Sequence, residues 1–304
     1  TVAWTTMLSA YVEHDEAEKA MQLYSLMQRK HGSSDELTFA IALQACAIFA
    51  ELEESNMDGR KLIKRKALEI GVAILEDARK QGFTTDSGSA LCNALLEMYA
   101  KCGAIMEAED IFSQIKHRTL AAWNTMLSAY VEYNQIEKGL ILYREMQLSK
   151  AIMNDVTCIC ILQIGNKIGS LELVKEVHFN IVSANYESLS AVVATLIHAY
   201  GSCGSMEDAY MLFNDIPEDE RDVVTWNAFI ALLAGEGNTE KTLEMFEKMK
   251  EDSILPDVSS WNVLIAGLTH REDGFSALEA FERMQREGIQ PNKVSFLCAL
   301  RACV

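Results

Sequence analysis

Apolar side chains near the start of the chain fall at Trp4, Met7, Leu8 and Tyr11, a spacing that places them on one face of a helix. After a polar His14-Asp15-Glu16 turn the same spacing returns at Ala20, Leu23, Tyr24 and Met27. The pattern predicts a helical hairpin over residues 1–35, its second helix ending near the turn at residues 31–35. The hairpin then recurs. Residues 4–13, WTTMLSAYVE, return at residues 123–132 as WNTMLSAYVE with nine of ten positions matching, and looser copies open at Trp226 and Trp261. All four tryptophans of the chain open such a copy. Self-similarity at a fixed period marks a repeat protein, whose units must be set out before a fold is inferred.

The repeats divide the chain into units at about residues 1–35, 36–88, 89–119, 120–154, 155–189, 190–222, 223–257 and 258–292, with a partial unit at 293–304. Gly103, after MYAKC, reads as a helix stop inside the third unit. The second unit carries an extra stretch near residues 53–66, where Arg60, Lys61, Lys64, Arg65 and Lys66 stand together without an acid. That stretch reads as a solvated insertion or helix extension, or more sharply as a phosphate or partner contact. A single hairpin cannot bury its apolar face, whereas stacked hairpins bury it against one another. The expected fold is all-α: one domain over residues 1–304, a right-handed α-solenoid, or superhelix, of helix-turn-helix repeats. No strand pattern or Gly/Ser linker divides it.

Composition narrows the function. Among 304 residues 49% are hydrophobic, enough for a core, but no apolar run approaches the length of a membrane span. The formal net charge of −17 runs against the basic face expected of a nucleic-acid binder. Eight cysteines lie at repeat-equivalent places, such as Cys102 and Cys203, or Cys46 and Cys303, without a CxxC motif. They read as reduced, small, buried apolar groups. Cys158 and Cys160, two apart, are expected on different sides of a helix. No signal or transit peptide is legible, so the sequence is expected to be a piece of a longer protein.

Candidate chemistry is sparse. His14-Asp15-Glu16 has the His-x-Glu spacing of zinc deaminases, but no PCxxC follows. Gly235-Glu236-Gly237 reads as a helix-stop turn and not as a phosphate loop, which needs a preceding strand. His178 and His198 lie in helical apolar patterns and read as core or groove residues. The Trp and Tyr stripes read as core. No catalytic arrangement emerges, and no metal, cofactor or small-molecule substrate is expected.

The stretches WNTMLSAYVE, MYAKCGAIMEAEDIF, VVTWNAFI, EMFEKMKEDSILPD and FERMQREGIQPN resemble the pentatricopeptide repeat. The alternation of 35-residue, longer and shorter units resembles its PLS subtype. The resemblance covers essentially the whole chain except the insertion. It implies modular binding of single-stranded RNA, one base per repeat, in a mitochondrion or chloroplast, supporting RNA processing, editing or translation. The base readers in this family are the fifth residue of the first helix and the last residue of the repeat.

Carried over residue by residue, Thr5 with Asp35 resembles a guanine reader. Asn124 with Asn154 resembles a pyrimidine reader favouring cytosine, Asn227 with Asp257 a uracil reader, and Asn262 with Asn292 a pyrimidine reader. Asn93 with Thr119 is a weak reader. Ala194 with Asp222, Ala40 with Gly88, and Ile159 with Leu189 carry no readable code. The implied RNA is G-x-x-Y-x-x-U-Y, 5′ to 3′ along the chain. The family also often sets a lysine thirteen residues into a repeat, facing phosphates. Lys101 and Lys167 match, while Glu13, Glu132, Gly235 and His270 stand there in the 35-residue units. The acidic balance supports an alternative: a scaffold whose acidic faces meet other protein subunits of a large organellar assembly, such as a ribosome or a membrane energy complex.

Overall fold

A computed structural model describes residues 2–30, 34–52, 56–58, 61–83, 90–184, 186, 189–269 and 274–303, with side chains left undescribed over 56–58 and 61–63. Arg60, Gly88 and His270 lie outside the described residues, as does the side chain of Lys61. The chain forms two compact units, residues Thr1–Met153 and Asn154–Val304. Among the described residues nearly all secondary structure is α-helix, and no helix is long and apolar enough to cross a membrane.

The first unit holds four antiparallel helix pairs. They are α1 (Val2–Glu13) with α2 (Ala17–Arg29), α3 (Glu36–Leu52) with α4 (Arg65–Lys80), α5 (Ala90–Cys102) with α6 (Ile105–Gln114), and α7 (Leu120–Glu132) with α8 (Ile136–Leu148). The first helices of successive pairs, α1, α3, α5 and α7, pack side by side in one layer. Each second helix packs on its own partner, and α2, α4 and α6 also on the next first helix. The second unit repeats the plan. Its helices are α9 (Asp155–Ile168), α10 (Leu171–Ser183), α11 (Ser190–Ser202), α12 (Met206–Asp215), α13 (Val223–Gly235), α14 (Thr239–Glu251), α15 (Val258–Thr269), α16 (Gly274–Arg286) and the unpaired α17 (Lys293–Arg301). Here α9, α11, α13, α15 and α17 form the layer of first helices.

Local chemistry explains the boundaries. Polar side chains cap the amino ends: Thr119 before α7, Asn154 before α9, Asp222 before α13 and Asn292 before α17 each accept the backbone N–H three residues on. The first helices end in left-handed residues, as at Gly103 (φ 79°) and Asn134 (φ 54°), which turn the chain back on itself.

The core lies between the layers. Trp123, Trp226 and Trp261 are buried at the start of their helices, each meeting a phenylalanine of the preceding second helix. Ring centroids are 5.2 Å apart for Phe112–Trp123, 5.0 Å for Phe213–Trp226 and 4.8 Å for Phe246–Trp261. Cys46, Cys92, Cys102, Cys158, Cys160 and Cys298 are buried as expected of small apolar groups, and burial pushes the Cys46 thiol up to about 12. Cys203 is half-buried and Cys303 exposed, against that expectation.

Two further differences from the sequence reading concern residues 56–66. In place of a helix extension there is an antiparallel hairpin, β1 (Asn56–Asp58) with β2 (Lys61–Ile63), pairing Asn56 with Ile63, Met57 with Leu62 and Asp58 with Lys61. The second difference is Lys64, which is buried instead of solvated.

Candidate nucleic-acid interface

The layer of first helices sets the amino-terminal turn of one helix beside the capping residue of the next. That geometry joins positions 30 residues apart. Asn227, in the second turn of α13, donates from Nδ2 to Asp257 Oδ1 at 3.4 Å. Asn262, one repeat on, donates to Asn292 Oδ1 at 3.3 Å. Thr5 and Asp35 are linked through Thr38, whose hydroxyl lies 3.0 Å from Thr5 Oγ1 and donates to Asp35 Oδ1 at 2.6 Å.

Not every expected pair is joined. Asn93 is exposed on α5, while the Thr119 hydroxyl accepts the Ala122 N–H at 3.2 Å and no hydrogen bond links the two. Asn124 sits half-buried on α7 of the first unit, and Asn154 opens the second unit as the cap of α9. As caps, Asn154 and Asn292 serve their helices; Asn227 and Asn262 cap nothing and point their amides at the next repeat.

The sequence reading missed a third participant. Thr38, Thr157, Thr225, Ser260 and Ser295 are all buried, and each stands three residues after its cap. The cap's side-chain oxygen accepts from both the backbone N–H and the hydroxyl of this residue: 2.8 and 2.6 Å for Asp35 with Thr38, 2.8 and 2.9 Å for Asp257 with Ser260. The Asp/Asn-x-x-Ser/Thr spacing was the available signal. Thr38's hydroxyl and backbone N–H hold the Asp35 carboxyl below the usual carboxylate range. Partial burial works against Asp257, but donors from Ser260 and Asn227 still hold its carboxyl low. Both are therefore anionic acceptors at neutral pH. The first turns of these helices carry exposed apolar side chains in one register, Val2, Leu37, Val156, Val224 and Val294.

The expected phosphate contacts fare differently. Lys64 is buried, its Nζ 3.4 Å from Glu132 and its backbone N–H on Cys102 O at 3.0 Å. It braces the ends of α5 and α7. Lys101 pairs with Glu51 at 2.5 Å. Arg65 and Lys66 are exposed in the first turn of α4, and Lys167 is exposed near the end of α9. Glu132, set against phosphate by sequence, is partly neutralised by Lys64, and Lys101, set toward phosphate, by Glu51. His178 donates to or accepts from Tyr200 Oη at 2.7 Å, and the exposed His198 meets Asn166 at 3.0 Å; His198 is thus a surface residue and not core.

The PPR repeat family profile matches residues 1–48, 221–270 and 256–304, and the PPR repeat profile matches 90–120, 121–150 and 193–220. The chain belongs to the pentatricopeptide repeat family. A pentatricopeptide repeat-containing protein of Arabidopsis thaliana is 31% identical over 257 residues, covering 84% of this chain and 33% of the relative. Two others from that plant, one named mitochondrial and one chloroplastic, are each 27% identical over 84% of this chain, covering 34% and 29% of the relatives. The chain thus spans about a third of the length of these relatives. A crystal structure of the pentatricopeptide repeat protein PPR10 in complex with an 18-nt psaJ RNA element superposes with a TM-score of 0.75 at 16% identity, over 98% of this chain and 42% of that one. The fold is the pentatricopeptide α-solenoid of helix-turn-helix repeats.

Proposed function

We infer that the chain binds single-stranded RNA sequence-selectively, each pentatricopeptide repeat offering one base a pair of polar side chains. The observation that carries this reading is the pairing of Asn227 with Asp257 and of Asn262 with Asn292, in the same register of consecutive repeats. Amide and carboxylate edges can meet a base edge, and the exposed valines of the first turns give an apolar surface for its face. Thr5 with Asp35, Asn93 with Thr119, and Asn124 with Asn154 are assigned the same role from their positions in the repeat. The mechanism is physical and not catalytic: the array holds an RNA segment extended and masks or presents it for processing, editing or translation. The relatives named mitochondrial and chloroplastic support an organellar setting, and the alternating unit lengths support the PLS subtype.

The test is binding to a single-stranded RNA pool at near-physiological salt. Selective enrichment, lost on Asn227→Ala or Asn124→Ala by roughly tenfold for a buried polar contact removed from the complex, is the expected result. Binding no better than background, indifferent to both substitutions, removes the reading.

A second reading has its own observation. With a net charge of −17 and both Lys64 and Lys101 engaged by carboxylates, the array offers little free positive charge to phosphates. An acidic scaffold meeting basic surfaces of other protein subunits fits that balance, and failure of the RNA experiment would favour it.

A further inference from the structure

The pairs Asn227–Asp257 and Asn262–Asn292 differ in how their shared hydroxyl is used. Ser260 and Ser295 are fully buried at the third position of α15 and α17. In each case the capping residue's own backbone N–H donates to the serine oxygen at 3.1 Å. That contact sends the hydroxyl proton forward, toward the side-chain oxygens of the pair. Ser260 meets a carboxylate there and donates to Asp257 Oδ1 at 2.9 Å. Asn227 gives an amide N–H to the same oxygen, and its own Oδ1 is buried without a partner. Ser295 meets a neutral amide instead. It donates to Asn262 Oδ1 at 2.6 Å, with Asn292 Oδ1 farther away at 3.1 Å. The Asn262 carbonyl is therefore pinned, and the Asn227 carbonyl is not.

Building on the reading of these asparagines as base contacts, we propose that Ser260 and Ser295 are positioning residues that decide which group of the asparagine a base can use. With its carbonyl turned to Ser295 and one amide hydrogen on Asn292, Asn262 is oriented to present its second N–H. It fits a pyrimidine whose ring nitrogen N3 is unprotonated, which is cytosine. Asn227 has a carbonyl with no donor, and a buried unpaired acceptor is costly. Turning its amide toward the N3–H of uracil supplies that donor, at the expense of one long contact to Asp257. The capping residue thus acts on the base at one remove: as a carboxylate it captures the serine proton and frees the asparagine carbonyl, and as an amide it releases the proton to that carbonyl.

The test sequences the bound fraction of a randomised single-stranded RNA pool after incubation with the 304-residue chain and its variants. Ser295→Ala is expected to lower the cytosine-to-uracil ratio at the nucleotide facing Asn262 by roughly threefold, the selectivity one net hydrogen bond carries. The neighbouring nucleotide, facing Asn227, keeps its preference. Ser295→Thr keeps the hydroxyl and the ratio. In the other repeat, Asp257→Asn shifts the Asn227 position from uracil toward cytosine, and Ser260→Ala in the same chain abolishes the shift. Circular dichroism checks that each variant stays helical; if Ser295→Ala unfolds, Ser295→Thr and the Asp257 pair of variants still decide. Equal weakening toward all RNAs with both ratios unchanged overturns the proposal and leaves the serines as helix caps. Absence of any base preference in the unaltered chain overturns the RNA reading itself, and the proposal with it.

Discussion

Residues 4–13 on α1 and 123–132 on α7 are almost the same sequence in different surroundings. On α7, Trp123, Met126 and Tyr130 are all buried; on α1, Trp4 and Tyr11 are half-buried and Met7 is 49% exposed. Leu8 and Leu127 are fully buried in both. The difference is α6. Its Phe112 lies against Trp123, and Arg118 spreads over both rings, 4.3 Å from one centroid and 5.1 Å from the other. In a quasi-one-dimensional fold, burial belongs to the neighbour as much as to the residue.

The largest expected contrast follows from that. Trp123→Ala should cost about 3–5 kcal/mol, as for a large aromatic removed from a core. In this 304-residue chain Trp4→Ala should cost less, about 1–2 kcal/mol, because its ring is only half-buried. Denaturant unfolding of both variants measures the difference, and equal costs would break the comparison. Next comes the acid that closes each copy. Glu132→Ala leaves the buried Lys64 without its carboxylate, a change expected to cost about 1–2 kcal/mol after allowance for the half-exposed position of Glu132. Glu13, whose contact is the Ser9 hydroxyl at 3.2 Å, should be replaceable by Ala within about 0.5 kcal/mol. Parallel urea titrations would show whether the two acids are interchangeable.

The smallest contrast lies in the caps that follow the two copies, Asp35 before α3 and Asn154 before α9. Thr38 holds the Asp35 carboxyl low in the folded state. Its stabilisation is therefore complete above the ordinary carboxylate range and fades as pH falls through that range toward the lowered value. Asn154 does not titrate. Amide protection in the first turn of α3 should drop in acid relative to the first turn of α9, and a parallel decline of both would contradict the assignment.

The helix pairs and their register were legible in the sequence because apolar periodicity and repetition report on the same face. The contacts of Asn227 with Asp257 and of Asn262 with Asn292 were legible only by resemblance, since residues 30 apart meet through a neighbouring repeat and no local pattern shows it. The Ser260 and Ser295 hydroxyls were hidden for the opposite reason: an Asp/Asn-x-x-Ser/Thr spacing looks like ordinary capping until the asparagine of the previous repeat is seen beside it. Lys64 was misread because it lies in a run that holds five cations and no acid, and its partner, Glu132, lies 68 residues away. Asn93 and Thr119 show that two residues can hold the paired positions of a repeat without a hydrogen bond between them.

The hairpin between α3 and α4 has a consequence for rebuilding the array. It lengthens the path between the two helices of one pair, yet α3 still packs directly on α1 and α5. Extra chain at that edge leaves the step from one first helix to the next untouched. Loop closure grows only slowly with length, so a tag or small domain grafted at this hairpin should not alter the spacing of Thr5 and Asn93. The repeat therefore behaves as a ruler with a free margin: its gradations lie along the first helices, and new freight can be attached at the far edge without moving a mark.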